Sequence, residues 1–212
     1  MRSKALAFAL ALACTGAAHA ATIDWNTWQT TAAGTIGPVT VSYTGANDGL
    51  AGMYPSYTPA TTFADGTIVA NAPTSANGMI KLIGGDNTVN TITFSTAVIN
   101  PVMAIWSLGQ GGSTASFVFS NATPLFVSGG PSAEYNGSPI TVSGNTVFGT
   151  EGNGTVQFLG TYTSLSWTNP QAENYYGFNV GIAGAVPEPE QYGMMAAGLA
   201  LVGFMARRRK RA

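Results

Sequence analysis

Short runs in which apolar and polar residues alternate recur along the chain from Ile36 onward. Every second residue is apolar from Val39 to Tyr43, and the same holds around Ile92 and Phe94. Successive side chains of a strand point to opposite faces, so runs of this kind bury one face and expose the other. Further runs lie at 102–108, 116–120, 140–142, 156–161, 164–168 and 176–182. The pattern predicts about ten short strands.

Turn residues separate these runs, as at Asp65-Gly66, Ala76-Asn77-Gly78, Gly84-Gly85-Asp86 and Asn136-Gly137. Apolar residues at helical spacing are not found over any useful length before the C-terminal segment. Many short strands with turns between them are typical of an all-β protein. We therefore expect an antiparallel β-sandwich, either jelly-roll-like or immunoglobulin-like, with Trp106, Trp167 and Phe178 in its core.

The first twenty residues have the pattern of a secretory signal peptide. Arg2 and Lys4 precede an apolar run from Ala5 to Cys14, and Ala18-His19-Ala20 is a small-x-small cleavage site. This predicts a signal peptide at residues 1–20 with cleavage after Ala20. An alternative is a lipoprotein signal at Ala11-Leu12-Ala13-Cys14, in which Cys14 would carry the lipid.

Cleavage after Ala20 would remove the one cysteine and the one histidine of the sequence, Cys14 and His19. The remaining domain, 21–185, then lacks cysteine nucleophiles, Ser-His-Asp triads and zinc sites built on histidine or cysteine. Seven acidic residues and a single basic residue, Lys81, give this domain a charge of about −6. A domain with one cation cannot neutralise phosphates, which excludes nucleic acid as a partner.

The C-terminal segment has the features of a short transmembrane helix followed by a cytoplasmic stop. Residues 191–206 carry no charge and are mostly apolar, and as a helix they would rise about 24 Å. A hydrocarbon core is about 30 Å thick, so this span is marginal. The basic residues after it predict that the chain before it lies outside the cytoplasm. These residues are Arg207, Arg208, Arg209, Lys210 and Arg211.

The order of these parts resembles a known sorting signal. Val186-Pro187-Glu188-Pro189, a short apolar helix and an arginine-rich end resemble the PEP-CTERM sorting signal of Gram-negative bacteria. This element, here 186–212, is also labelled "ice-binding protein C-terminal domain". The resemblance implies that an exosortase recognises Pro187, Glu188 and Pro189. It also implies a precursor tethered to the inner membrane and a product at the cell surface or in the extracellular matrix.

The segment from Asn90 to Ala183 loosely resembles the β-sandwich bodies that carry this tail. The pieces that carry the resemblance are TITFSTAVINPVMAIWSLG and GFNVGIAG. They imply a structural type and no activity.

Aromatic residues in the predicted loops are candidates for glycan binding. A flat ring with a carboxylate or amide beside it can stack on a sugar while the polar group bonds to the hydroxyls. The candidates are Tyr54, Tyr57, Tyr135, Trp25 and Trp28.

Calcium is a weaker candidate ligand, since carboxylates on flexible loops are the ligands that it prefers. Asp48, Asp86 and Glu151 lie in glycine-rich loops, but none has the spacing of a recognised calcium loop. We expect no other cofactor.

These features favour a non-enzymatic envelope or extracellular protein that binds or supports extracellular polysaccharide or biofilm matrix. The alternative is a glycan hydrolase or lyase that uses carboxylates, with Glu134 and Glu151 as candidates. A self-assembling surface component is a third possibility, which a long unprotected edge strand would favour.

Overall fold

The computed structural model describes residues 20–52, 54–173, 175–184, 193 and 196–200. Residues 20–185 form one compact unit. Sixteen strands lie in the described part of this unit, and this confirms the all-β prediction. The strands are β1 (Ile23–Trp25), β2 (Thr27–Trp28), β3 (Ala33–Ile36), β4 (Val39–Thr44), β5 (Asn47–Ala51), β6 (Met79–Leu82), β7 (Asn90–Ile99), β8 (Val102–Leu108), β9 (Ala115–Phe119), β10 (Pro124–Gly129), β11 (Ser138–Pro139), β12 (Thr141–Ser143), β13 (Thr146–Gly149), β14 (Gly152–Phe158), β15 (Thr161–Thr168) and β16 (Tyr176–Ala183).

The strands form two sheets of eight. The first sheet has the order β10-β14-β8-β16-β6-β5, with β1 beside β16 and β11 parallel to β14. The second has the order β12-β13-β9-β15-β7-β4-β3-β2. All pairs except β11–β14 are antiparallel.

The eight central strands have the connectivity of a jelly roll. In chain order they are β6 to β9 and β13 to β16. They make the half-sheets β6-β16-β8-β14 and β7-β15-β9-β13, so that the first and last strands lie side by side. This is the double Greek key of a jelly roll, one of the two topologies that the sequence left open.

Apolar side chains from both sheets meet in one core between them. Trp167 of β15 stacks on Phe117 of β9 at 5.7 Å and meets Phe178 of β16 edge to face at 5.1 Å. Burial of a phenylalanine side chain contributes about 1.5–3 kcal/mol, so this cluster joins the sheets without a disulfide. Trp167 and Phe178 therefore lie in the core, as predicted.

A second core covers the outer face of the first sheet. The connection between β5 and β6 crosses this face and contains a one-turn helix, α1 (Ala60–Phe63), and a 3₁₀ turn (Ser75–Asn77). Phe63 and Tyr57 from this connection pack in one cluster with Trp106 of β8. Strand β8 is consequently buried on both faces along its whole length.

A β-bulge near the end of β8 shifts the alternation of its side chains. Trp106 and Ser107 together oppose a single residue, Asn153, since Ile105 pairs with Gly154 and Leu108 with Gly152. Ser107 has φ of 56°, and its N–H donates to Asn153 Oδ1 at 2.8 Å. Because of the extra residue, Ile105 and Leu108 both enter the core between the sheets, three positions apart.

The edge strands β10, β5, β12 and β2 have between two and six residues. A long unprotected edge, the feature that would favour self-assembly, is therefore not found in the described part of the sheets.

In the C-terminal segment, Gly193 and residues 196–200 are helical. Among the residues that the structure describes, none belongs to a helix long and apolar enough to cross a membrane.

Candidate functional site

Four connections of the jelly roll meet at one end of the sandwich. They follow β6, β8, β13 and β15, and the alternation of the chain between the sheets brings them to the same end. Backbone hydrogen bonds join them, from Gly84 N to Glu173 O at 2.8 Å and from Gly85 N to Asn169 O at 2.8 Å. The end of β8, with its bulge, lies among these connections.

Two exposed tyrosines lie on the buried ring of Trp106. The ring centroid of Tyr135 is 5.3 Å from that of Trp106, and the ring centroid of Tyr175 is 5.9 Å from it. The two tyrosine rings are 5.8 Å apart and almost perpendicular, at 84°. Tyr135 is 47% exposed and Tyr175 is 43% exposed, whereas Trp106 is fully buried. We call Tyr135, Tyr175 and the Trp106 beneath them the aromatic corner.

Tyr54 extends the corner on one side. It is 50% exposed, and the chain that follows it runs beside the segment that carries Tyr135. Ala133 N donates to Thr58 O at 2.8 Å, and this bond fixes the two segments to each other. Burial raises the pKa of Tyr135, and the neighbouring Tyr175, Tyr54 and Glu151 raise it further.

Glu134 is held rigidly at the base of the corner. Its Oε1 accepts the N–H of Ser56 at 2.8 Å, and its Oε2 accepts the indole N–H of Trp106 at 3.2 Å. Partial burial raises the pKa of Glu134, but these hydrogen bonds outweigh burial, and the net effect is a lowered pKa. The carboxylate is therefore charged at neutral pH and aligned by two donors.

Glu151 and Glu173 lie on the other side of the bulge. Glu151 Oε2 accepts from Ser107 Oγ at 3.0 Å, and Glu173 Oε2 accepts from Gly109 N at 2.9 Å. Burial raises the pKa of Glu173 to about 7, and the charge of Glu151 adds to this, against the hydrogen bonds from Gly109 and Tyr175. Glu173 is thus poised to exchange a proton near neutral pH.

One cation borders the site. The ammonium group of Lys81 lies 5.6 Å from the ring centroid of Tyr175 and 2.8 Å from Asp48 Oδ2. Lys81 belongs to β6. Its charge is compensated by Asp48, so the site as a whole is negative.

A shallow groove of about 320 Å³ adjoins Glu173 and is lined by Ile83, Gly84, Gln110 and Ala172. A larger groove of about 630 Å³ lies elsewhere, around Asn121 and Asn145. The amide groups there already bond to the backbone, as from Asn121 Nδ2 to Ser164 O at 3.1 Å and from Asn145 Nδ2 to Phe119 O. The groove beside Glu173 has Gln110 and Glu173 as its polar side chains.

Three of the five predicted glycan-binding aromatics are not available to a ligand. Trp25, Trp28 and Tyr57 are buried in the two cores. The indole of Trp25 donates to Asn71 O at 3.0 Å, and the hydroxyl of Tyr57 donates to Gly78 O at 3.3 Å. A ring packed on both faces cannot stack on a sugar, so these three are corrected to core residues, while Tyr54 and Tyr135 are exposed.

The three calcium candidates have separate local partners. Asp48 pairs with Lys81, Asp86 accepts from Thr88 N and Oγ1 at 3.0 and 2.8 Å, and Glu151 accepts from Ser107. In the described part of the chain, groups of three or more metal-binding side chains are not found.

The sorting residues predicted from the sequence lie outside the described residues. These are Pro187, Glu188, Pro189, Arg207, Arg208, Arg209, Lys210 and Arg211, and the same holds for residues 1–19 of the predicted signal peptide.

The sequence pattern did not point to Tyr175, and Glu173 was only one of the seven acidic residues of the domain. A signal for Tyr175 existed in the doublet Tyr175-Tyr176, whose second residue begins β16. Strand alternation buries Tyr176 between the sheets and turns Tyr175 outward. The contact between the exposed Tyr175 ring and Tyr135 depends on the way the strands of the jelly roll are arranged in space.

Residues 20–184 thus define a β-sandwich ectodomain, followed by a C-terminal segment of different composition. That segment matches the PEP-CTERM protein-sorting motif at residues 185–210. The motif marks an exported protein that an exosortase processes from a membrane-anchored precursor. No curated protein and no solved structure is significantly similar to the chain.

Proposed function

We propose that the ectodomain is a non-enzymatic binding protein that attaches to extracellular polysaccharide of the cell envelope or biofilm matrix. The aromatic corner is the observation that carries this proposal. Two half-exposed tyrosines supported by a buried tryptophan offer one ring face for stacking and one ring edge with its hydroxyl for hydrogen bonding. A perpendicular pair of rings contacts a single sugar unit from two sides, whereas a coplanar set of rings would support a longer flat stretch of the polymer.

Localisation agrees with this role. Cleavage after Ala20 and processing near Pro187-Glu188-Pro189 would release the ectodomain at the cell surface or into the matrix, where the sugar polymer lies. Glu134 next to the corner supplies an aligned acceptor for sugar hydroxyls. Binding of this kind needs no cofactor.

The test is glycan binding by the full-length protein in mild detergent, first on a polysaccharide array and then by calorimetry. We expect Tyr135→Ala to weaken binding about tenfold, since an aromatic contact is worth about 1 kcal/mol beyond its buried area. Tyr135→Phe keeps the ring and should retain most of the affinity. Phe126→Ala is the matched control, since Phe126 is 48% exposed in β10. Equal affinity of all variants would contradict a binding role for the corner.

A glycan hydrolase or lyase is the second candidate, and Glu173 is the observation that favours it. A carboxyl group with a pKa of about 7 suits a general acid, and the neighbouring Glu151 would supply the second carboxylate. The assay is release of reducing ends from a bound polysaccharide. The enzyme hypothesis predicts that Glu173→Gln and Glu151→Gln both abolish release, whereas a bound polymer that stays intact with the unaltered protein contradicts it.

A further inference from the structure

We infer that the aromatic corner selects sugars with a protonated amine, that is, a polymer of partly de-N-acetylated amino sugars, over neutral and uronic acid polymers. This inference rests on the polysaccharide binding proposed above and specifies the sugar class for the same site.

Two carboxylates place negative charge around the rings of the aromatic corner. Glu134 lies at one side of the corner, bonded to the Trp106 indole, and Glu151 lies at the other, bonded to Ser107. Glu151 uses its Oε2 atom in this bond, and no hydrogen bond from another described residue reaches its Oε1 atom. The negative charge of the two carboxylates attracts an ammonium group and repels a uronate.

The ring of Tyr175 favours a cation independently of Glu134 and Glu151. The face of Tyr175 already receives an ammonium group, that of Lys81, at 5.6 Å from the ring centroid. The ring is 43% exposed, so part of its surface remains open beside this contact. A tyrosine that accepts one ammonium shows that the orientation and surroundings of its ring suit a cation.

The domain from 21 to 185 offers an anionic sugar no free positive charge. Lys81 is the one basic residue between positions 21 and 185, and it is bonded to Asp48 at 2.8 Å. A site for uronic acids or sulfated sugars would need unpaired lysine or arginine side chains, as anion recognition generally does. In this domain the sequence has none to supply.

The test compares three hexasaccharides with the full-length protein in mild detergent at about pH 6 by calorimetry. The probes are glucosamine hexamer, N-acetylglucosamine hexamer and galacturonate hexamer. We expect the glucosamine hexamer to bind at least about tenfold more tightly than its acetylated counterpart, and the galacturonate hexamer not to bind. Added salt should weaken the first and leave the second unchanged.

Variants separate the site from overall charge. Glu151→Gln should reduce the preference for the glucosamine hexamer about tenfold. Asp24→Asn removes one negative charge in β1 and should leave the preference intact. Equal binding of both amino-sugar hexamers, each weakened by Tyr135→Ala, would overturn the amine preference and leave the proposed function in place. Tighter binding of the galacturonate hexamer would also overturn it. Failure of all three probes and of the polysaccharide array would instead refute the proposed function.

Discussion

Glu173 accepts hydrogen bonds from the N–H groups of Gly109 and Tyr175, yet its pKa is raised to about 7. Burial disfavours the charged form more strongly than two backbone donors favour it, and the charge of Glu151 acts in the same direction. The side chain of Glu173 thus joins two loops of the site. Below about pH 7 it keeps a proton that an exposed glutamate would have released.

The pH dependence of stability should show this proton. Between the ordinary value of 4.5 and about 7, the folded state keeps a proton that the unfolded state has released, so stability falls as pH rises. We expect the protein to lose stability relative to Glu173→Gln as the pH rises from 4.5 to about 7, because glutamine imitates the protonated form. Urea unfolding of both proteins at several pH values measures the difference. Parallel curves would show that Glu173 has an ordinary pKa.

Gly177 lies opposite Trp106 in the β8–β16 pair and leaves no room for a side chain. A Cβ at this position would lie 2.2 Å from the carbonyl oxygen of Ile80. We expect Gly177→Ala to lower the free energy of unfolding by about 1–3 kcal/mol. Gly52→Ala is the control, since, its chain neighbours aside, no heavy atom of the described residues lies within 4 Å of a Cβ there. Thermal unfolding of the two variants decides between a steric effect and a general effect of alanine.

At the scale of the elements, a buried polar network connects four strands of the second sheet. Asn169, directly after β15, accepts from Asn90 Nδ2 at 2.9 Å and Trp167 Nε1 at 3.0 Å, and donates to Ser116 O at 2.8 Å. Asn90 in turn accepts from the hydroxyl of Tyr43 at 2.6 Å. The amides thereby satisfy polar groups on β4, β7, β9 and β15 inside the core.

Removal of the central amide should therefore be costly. Asn169→Ala leaves two buried donors and one carbonyl without partners, and we expect a loss of about 2–4 kcal/mol. Gln29→Ala removes one exposed hydrogen bond, from Gln29 Nε2 to Thr35 Oγ1, and should cost less than about 0.5 kcal/mol. Denaturant unfolding compares the two. A similar, small effect for both would mean that water replaces the amide in the core.

Strands with regular alternation could be predicted from the sequence, and irregular ones could not. The runs at β4, β7, β15 and β16 stand out because one face is consistently apolar, and β8 stands out as a nearly continuous apolar run that is buried on both faces. Strand β5, with the sequence NDGLA, has no such face, and its position is fixed by pairing with β6. Trp25 and Trp28 were misplaced because β1 and β2 belong to different sheets, so the two indoles face different cores. The meeting of Tyr135 with Tyr175 depends on non-local closure, which alternation does not encode.

At the scale of the whole molecule, the chain combines a folded ectodomain with a sorting segment that an exosortase processes. The ectodomain has both cores within residues 20–185. The PEP-CTERM motif lies beyond it, at 185–210. Processing thus acts on a segment that follows the residues of both described cores in the sequence.

Replacement of Pro187, Glu188 and Pro189 by alanine should block processing. We expect full-length precursor to accumulate in the membrane fraction of the native host and the processed product to disappear, since the exosortase no longer recognises its substrate. Immunoblots of membrane and extracellular fractions, with intact-mass measurement, detect both species. Gln191→Ala, outside the Pro-Glu-Pro triplet, is the control. Normal processing of the triple variant would place the recognition elsewhere.

The place of Lys81 in β6 has a consequence for the life of the protein outside the cell. Proteases of the trypsin type cut after lysine or arginine, and residues 21–185 contain one such position. That position lies in a strand hydrogen-bonded between β5 and β16, with its side chain tied to Asp48. A protease needs an extended, unpaired substrate, so the folded domain offers these enzymes no ready point of attack. The same scarcity of cations that sets the charge of the domain thus limits trypsin-type cleavage within it to this one protected position.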